Sequence, residues 1–251
     1  MRTKDLIDLA GDPNFISGIY NYCDRWCERC PLTSRCFLYA TENRDAEDSA
    51  THDITNAEFW YRLDEVFRQT QEMLTLLAQE RGIDLSAISD ESINDSRNDV
   101  DEARKNELSL AAENYAITID KWFAERMPEV EGTAALCPSE SGQTEAVEVI
   151  RWYQLQIATK IVRGLIALDD EPEDDVDEFS CDSNGSIKVA LLGIQRSIGA
   201  WRVLQMARLD LVEAINPILL TLETLRCDLE QAYPRAMDFI RPGFDEIEGI
   251  N

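Results

Sequence analysis

The sequence predicts an all-α protein, and three observations support that prediction. Apolar residues recur at helical spacing over several stretches of about 24 to 29 residues. Prolines, glycines and clusters of small polar residues separate those stretches, as expected of loops between helices. No long stretch of the sequence alternates apolar and polar residues as a half-buried strand does. We therefore expect an antiparallel bundle of four to five helices, preceded by an N-terminal segment with four cysteines.

The N-terminal segment, residues 1–53, contains the cysteines and is expected to pack on the bundle. The first long helix should begin near Thr55 or Asn56, and Gly82 should end it. Residues 83–97 are rich in Asp, Ser and Asn, and this composition indicates a loop.

The second helix is predicted to run from Asp99 to Met127, where Pro128 ends it. The third helix should run from Gln143 to Asp169. Its apolar residues cover most of the helix circumference, which is typical of a helix buried on all sides. We therefore expect the third helix to be the central helix of the bundle.

An acidic linker is predicted at residues 169–183, because that run lacks the residue order of a calcium-binding loop. The fourth helix should begin within residues 183–186, and a fifth segment should cover residues 209–232. These assignments extend the bundle over residues 54–233 and leave residues 234–251 as a C-terminal tail.

The charge balance argues against several kinds of partner. The chain carries 49 acidic and 24 basic residues, for a net charge of −25 at pH 7. No basic stripe offsets this charge, so nucleic acid is not expected as a partner. The sequence has no apolar run long enough to span a membrane, and its N-terminus lacks the apolar core of a signal peptide. We expect a cytoplasmic protein that binds neither nucleic acid nor membrane.

The strongest chemical signal is a cluster of four cysteines. Cys23, Cys27, Cys30 and Cys36 lie within fourteen residues at C-x3-C-x2-C-x5-C spacing. Four soft thiolates that converge on one point can hold a tetrahedral Zn²⁺ or a [4Fe–4S] cluster. A helix that carried Cys23 and Cys27 would place both sulfurs on one face and would end at Pro31.

Zinc and iron–sulfur both remain open for this cysteine segment. Structural zinc sites more often combine two separate C-x2-C pairs, whereas four ligands in one short segment are also common for cubane clusters. Arg25, Arg29 and Arg35 lie between the cysteines, and their charges would offset the charge of about −2 that either centre carries. Disulfides are less favoured in a reducing cytosol, and a thioredoxin-like pair would require a βαβ setting.

Part of the cysteine segment resembles the iron–sulfur segment of RecB-type nucleases. The resemblance rests on Cys27, Cys30, Pro31 and Cys36 and covers about ten residues. It implies cluster ligands but not nuclease activity, because the acidic active-site context of those enzymes is not found elsewhere in the sequence. The spacing from Cys23 to Cys30 is also similar to the radical-SAM signature, but the strands and the glycine-rich cofactor loop of that fold are not found.

A second candidate site consists of four cations on the third and fourth helices, Lys160, Arg163, Lys188 and Arg196. If these helices are adjacent, the cations could line a pocket for a small anionic ligand. Ion pairs with carboxylates are the alternative interpretation. The single histidine, His52, lies outside the long helices, so a histidine-containing di-iron or haem site of the usual kind is not expected.

The remaining three cysteines are not assigned to the metal centre. Cys137 is interpreted as a small, partly buried side chain, Cys227 is expected in the core, and Cys181 is assigned no role.

The sequence therefore predicts a metal-binding helical-bundle protein. Its four-cysteine centre would have a structural, redox or sensing role, and the bundle would bind a protein partner or a ligand. The alternative is an iron–sulfur enzyme or electron-transfer component that acts on a small anionic ligand between the third and fourth helices. No nucleophile–base set and no phosphate-binding loop indicates a particular reaction.

Overall fold

The helical prediction can be compared with a computed structural model of the chain, which describes residues 3–43, 55–87, 89–134, 140–169 and 182–245. Within these ranges the regular structure consists of eight α-helices and several short 3₁₀ turns, with no strand. The prediction of an all-α protein is therefore confirmed. The chain divides into two compact units, the first comprising Met1–Asn21 and Arg25–Ser96 and the second Tyr22–Asp24 and Arg97–Asn251.

Three α-helices lie within the first unit: α1 (Thr3–Ala10), α2 (Phe37–Asn43) and α3 (Ala57–Glu80). The long helix α3 begins where the sequence predicts it, because the Asn56 side chain accepts a hydrogen bond of 3.0 Å from the N–H of Glu58. It ends before Gly82, whose φ of +68° favours glycine. The helix α1 packs against α3. Ala78 is a buried residue of α3. The sequence predicts α3 as part of the bundle, whereas in the structure it lies in the same compact unit as α1 and α2.

The loop predicted at residues 83–97 is wrong, because helix α4 (Asp90–Lys105) occupies most of that stretch. No apolar stripe indicates this helix in the sequence. The charges at its C-terminal end do fit a helix, since Arg104 and Lys105 lie in its last turn. Cations in the last turn interact favourably with the helix dipole.

A second correction concerns the helix predicted from Asp99 to Met127, which is two helices. Helix α4 ends at Lys105, and α5 (Glu107–Ala134) begins after Asn106. The Asn106 side chain accepts a hydrogen bond of 2.9 Å from the N–H of Leu108, so it caps the new helix. Helix α5 also continues beyond Pro128, where the sequence predicted its end.

The second unit is built around four long helices, in which α5 is followed by α6 (Glu140–Asp169), α7 (Asp182–Ala207) and α8 (Val212–Ala232). Helix α6 packs between α5 and α7, and α8 packs between α7 and α5, so the four helices close around a common core. Helices α6 and α7 are antiparallel, because Gly164 near the end of α6 faces Ile187 near the start of α7.

The expectation that the third predicted helix would be central is wrong. That helix corresponds to α6, which exposes 68% of Leu155. Helix α7 is buried more completely, with fifteen of its 26 residues buried. It packs against α6, α8 and the 3₁₀ turn Ala236–Asp238. Small residues explain this burial, since a Cβ at Gly193 would lie only 2.9 Å from the Tyr153 ring.

Large aromatic side chains fill the core between α5 and α7. The Trp201 indole N–H donates a hydrogen bond of 3.2 Å to the Tyr115 hydroxyl. Trp122 meets the Trp201 ring edge-on at 4.9 Å between centroids, and Phe123 stacks on it at 6.0 Å. These contacts fix the two helices through geometry as well as burial. Among the helices that the structure describes, none is both long enough and apolar enough to cross a bilayer.

Three further expectations concern single residues. Cys227 is exposed on α8, so its expected place in the core is wrong. Cys137, Cys181 and His52 lie outside the described residues, as do residues 170–181 of the predicted acidic linker.

Candidate metal centre

The cysteine segment is built from two 3₁₀ turns, each followed by a cysteine. The turn Cys27–Arg29 is closed by the N–H of Cys30, which donates to the Cys27 carbonyl at 3.2 Å. The turn Thr33–Arg35 is closed in the same way by the N–H of Cys36, at 3.2 Å from the Thr33 carbonyl. Cys30 and Cys36 themselves have extended backbone. The two cysteines thus occupy equivalent positions in repeated turns.

The predicted helix through Cys23 and Cys27 is not formed. Cys23 lies outside any helix, and Cys27 begins a 3₁₀ turn. Between them, Arg25 has a φ of 57°, a left-handed conformation that a right-handed helix cannot contain. The two sulfurs are therefore not placed by i, i+4 helical geometry.

A backbone hydrogen bond is directed at one of the sulfurs. The N–H of Leu32 donates to the Cys30 Sγ at 3.4 Å. Pro31, between them, has no N–H of its own to donate. Hydrogen bonds from N–H groups to cysteine sulfur are among the features that set the potentials of iron–sulfur clusters.

The four cysteines of the segment are half-buried, and the five cysteines that the structure describes form no disulfide. Two of the interleaved arginines contact other groups. Arg25 forms an ion pair of 2.9 Å with Glu42, and the Arg29 guanidinium lies over the Trp26 ring at 4.1 Å. These two cations therefore hold the segment through contacts outside the cysteines.

The described structure does not itself assemble a metal site. Within the ranges that it covers, no three Cys, His, Asp or Glu side chains are grouped so that they could hold a metal ion. The ligand set of Cys23, Cys27, Cys30 and Cys36 therefore stays a prediction from the spacing of the sequence.

The cations of the second candidate site make separate contacts. Lys160 is buried in α6. Arg163 forms an ion pair of 3.4 Å with Asp182, at a position where both side chains are partly exposed. Arg196 contacts Asp24 and the Tyr153 hydroxyl.

Lys188, the fourth cation, holds the C-terminal tail. Its ammonium group donates to the carbonyls of Met237 at 3.1 Å and Phe239 at 2.7 Å, and it pairs with Asp245 at 2.8 Å. Arg163, Lys188 and Arg196 thus bond to groups of the chain itself. The pocket for an anionic ligand stays a prediction.

The contacts of Asp24, the residue directly after Cys23, do not follow from the sequence. Its carbonyl accepts the indole N–H of Trp152 at 2.8 Å, and its carboxylate accepts the Tyr153 hydroxyl at 2.5 Å. Arg196 donates to the same carboxylate oxygen and to the Tyr153 hydroxyl. Burial raises the pKa of Tyr153, and the hydrogen bond to Asp24 raises it further. The tyrosine therefore stays protonated and donates to Asp24.

The residue on the other side of Cys23 is also fixed. The Tyr22 ring lies 4.7 Å from the Phe239 ring, centroid to centroid. A Cβ at Gly185 would lie only 2.5 Å from the Tyr22 ring, so the ring packs directly on the backbone of α7. Cys23 is thus flanked by two residues that the helices of the second unit hold in place.

Comparisons of this chain with protein-family models, with curated proteins and with solved structures find no match.

Proposed function

We propose that this is a cytoplasmic metal-binding protein in which Cys23, Cys27, Cys30 and Cys36 hold one [4Fe–4S] cluster or one Zn²⁺. The observation that carries the proposal is the local structure around the C-x2-C pair. Two equivalent turns present Cys30 and Cys36, and the Leu32 N–H points at the Cys30 sulfur. Reduced, half-buried thiols suit this chemistry, and the described cysteines form no disulfide.

The role of the centre depends on which metal it holds. Zinc would crosslink the segment as a structural ion, whereas a cubane would add a redox couple tuned by hydrogen bonds to its sulfurs. In either case the chain supplies four thiolates and at least one N–H donor to sulfur. Because a metal that binds only the folded chain stabilises it, loading would also report metal supply or redox state.

We propose that the helices bind a protein partner. Trp60, Phe67 and Leu74 recur every seven residues along α3 and are exposed. Exposed apolar residues that share one face of a helix are typical of a surface that binds protein.

The proposal is tested by metal analysis of the protein purified without oxygen. We expect either one zinc per chain or about four irons per chain with broad visible absorption. Cys30→Ser should remove most of the metal, whereas Cys227→Ser should retain it, because Cys227 is exposed on α8. A metal-free wild type, or a Cys30→Ser variant with full metal content, would overturn the proposal. A colourless zinc protein would exclude the alternative of an iron–sulfur enzyme or electron carrier.

A further inference from the structure

Cys23 lies between Tyr22 and Asp24, and the side-chain contacts of both residues restrict its position. Asp24 is held through its carbonyl by Trp152 and through its carboxylate by Tyr153 and Arg196. On the other side, Tyr22 packs on Gly185 and Phe239. The backbone of Cys23 is therefore restrained from both directions.

The contacts to Asp24 form a closed set of hydrogen bonds. The Arg196 guanidinium, the Tyr153 hydroxyl and the Asp24 carboxylate all contact one another. The set is shielded from water on one side, because Tyr153 is 2% exposed and the Asp24 side chain is 23% exposed. Bonds of this kind, between charged or partly buried groups, are stronger than exposed ones.

We propose that Asp24, Trp152, Tyr153 and Arg196 are positioning residues for the metal ligand Cys23. They fix the ligand to helices α6 and α7 and couple metal binding to those helices. This inference rests on the proposed function. Holding Cys23 before the metal arrives lowers the conformational entropy that binding must overcome. Reciprocity then requires that a bound metal stabilise these four residues, the anchor of the ligand.

The sharpest test removes one atom of the anchor. Tyr153→Phe deletes the hydroxyl but keeps the ring, which packs against Gly193. We add Co²⁺ to the metal-free chain and measure the dissociation constant from the thiolate-to-cobalt absorption. Loss of an outer contact of this kind typically weakens metal binding 10- to 100-fold, and we expect a weakening of about tenfold with an unchanged band shape.

Two matched controls separate positioning from general stability. Tyr115→Phe deletes a buried hydroxyl that bonds Trp201 in the core, and Arg163→Met breaks an ion pair between α6 and Asp182. Both should leave the cobalt affinity within about twofold of the wild type, because substitutions at distant sites without shared partners act independently. An equal loss of affinity in these controls would overturn the inference.

A second measurement follows the anchor directly. Trp152 is one of five tryptophans, and its indole N–H donates to the Asp24 carbonyl. The NMR signal of this indole N–H can be assigned because it is lost in Trp152→Phe. We expect Zn²⁺, which is diamagnetic, to move this signal in the wild type, and a smaller movement in Arg196→Met that Arg196→Lys partly restores. No movement of the Trp152 signal on metal binding would overturn the inference.

The outcomes distinguish the two proposals. A wild-type chain that contains neither zinc nor iron when purified without oxygen, and that does not bind Co²⁺ through thiolates, would overturn the proposed function and this inference together. A wild-type chain that binds Co²⁺, with an equally tight Tyr153→Phe variant, would overturn only the role of the anchor. Should Tyr153→Phe fail to fold, the Arg196→Met and Arg196→Lys pair provides the same comparison.

Discussion

Helices α6 and α7 approach each other most closely at glycines, and Gly164→Ala tests how much that approach contributes to stability. An alanine Cβ at Gly164 would lie 2.6 and 2.7 Å from two carbons of Ile187, and 3.3 Å from the Ser183 carbonyl oxygen. Carbon atoms in good contact lie about 3.5–4.0 Å apart. Ile187 is 0% exposed, so it has no free space into which it can move.

Two opposing terms set the magnitude. Overpacking a core typically costs about 1–3 kcal/mol. Replacing glycine by alanine inside a helix contributes about 1 kcal/mol in the opposite direction. For Gly164→Ala the difference between the two terms is a net loss of about 0–2 kcal/mol in the free energy of unfolding, which corresponds to a fall in Tm of up to about 8 °C for a chain of this size.

A matched control lies on the neighbouring helix. Gly199 of α7 is exposed, and a Cβ there would meet nothing within 4 Å. Gly199→Ala should therefore raise the free energy of unfolding by about 0.5–1 kcal/mol. Both variants can be measured by urea unfolding followed by circular dichroism. If Gly164→Ala were as stable as Gly199→Ala, the close approach of α6 and α7 would be refuted.

Two further predictions concern the tail that Lys188 holds. Lys188→Met removes the donor to the carbonyls of Met237 and Phe239, and Asp245 keeps only Arg241 as its cation. The loss should be about 1–3 kcal/mol in the free energy of unfolding measured with urea, because the two carbonyls lose a buried donor; an unchanged midpoint would contradict it. Burial alone would raise the pKa of Asp245, but hydrogen bonds from Arg241 and Lys188 hold that pKa well below its usual value. Because the unfolded carboxyl binds its proton first, this stabilisation is present above about pH 4 and is lost as the pH falls, so Asp245→Asn should flatten the dependence of stability on pH below pH 4.

Periodic apolar residues were sufficient to locate the long helices, because each needs an apolar stripe for packing. The start of α3 at Asn56 and the extent of α6 follow from the sequence in this way. Helix α4 was missed because it has no such stripe. Its signal was the charge of its last turn, which contains Arg104 and Lys105. Such charge is a weaker guide, since the same composition also suits a loop.

The central helix was misassigned because apolar content was taken as a measure of burial. Ser183, Gly185 and Ser186 of α7 are buried, although none is a large apolar residue. Small side chains let neighbouring helices approach, and that approach itself excludes water. The apolar residues of helix α6 cover most of its circumference, yet Leu155 on it is exposed.

The cysteine spacing could be predicted from sequence, whereas its anchor could not, and the reason is separation along the chain. Asp24 lies 129 residues from Tyr153 and 172 from Arg196. No local pattern connects residues at such distances. The sequence marks Arg196 only as one of four cations on the third and fourth helices, and its carboxylate partner lies in the cysteine segment. A cation on an apolar helix face is therefore best paired with carboxylates across the whole chain before a pocket is inferred, because an internal partner satisfies its charge without any ligand.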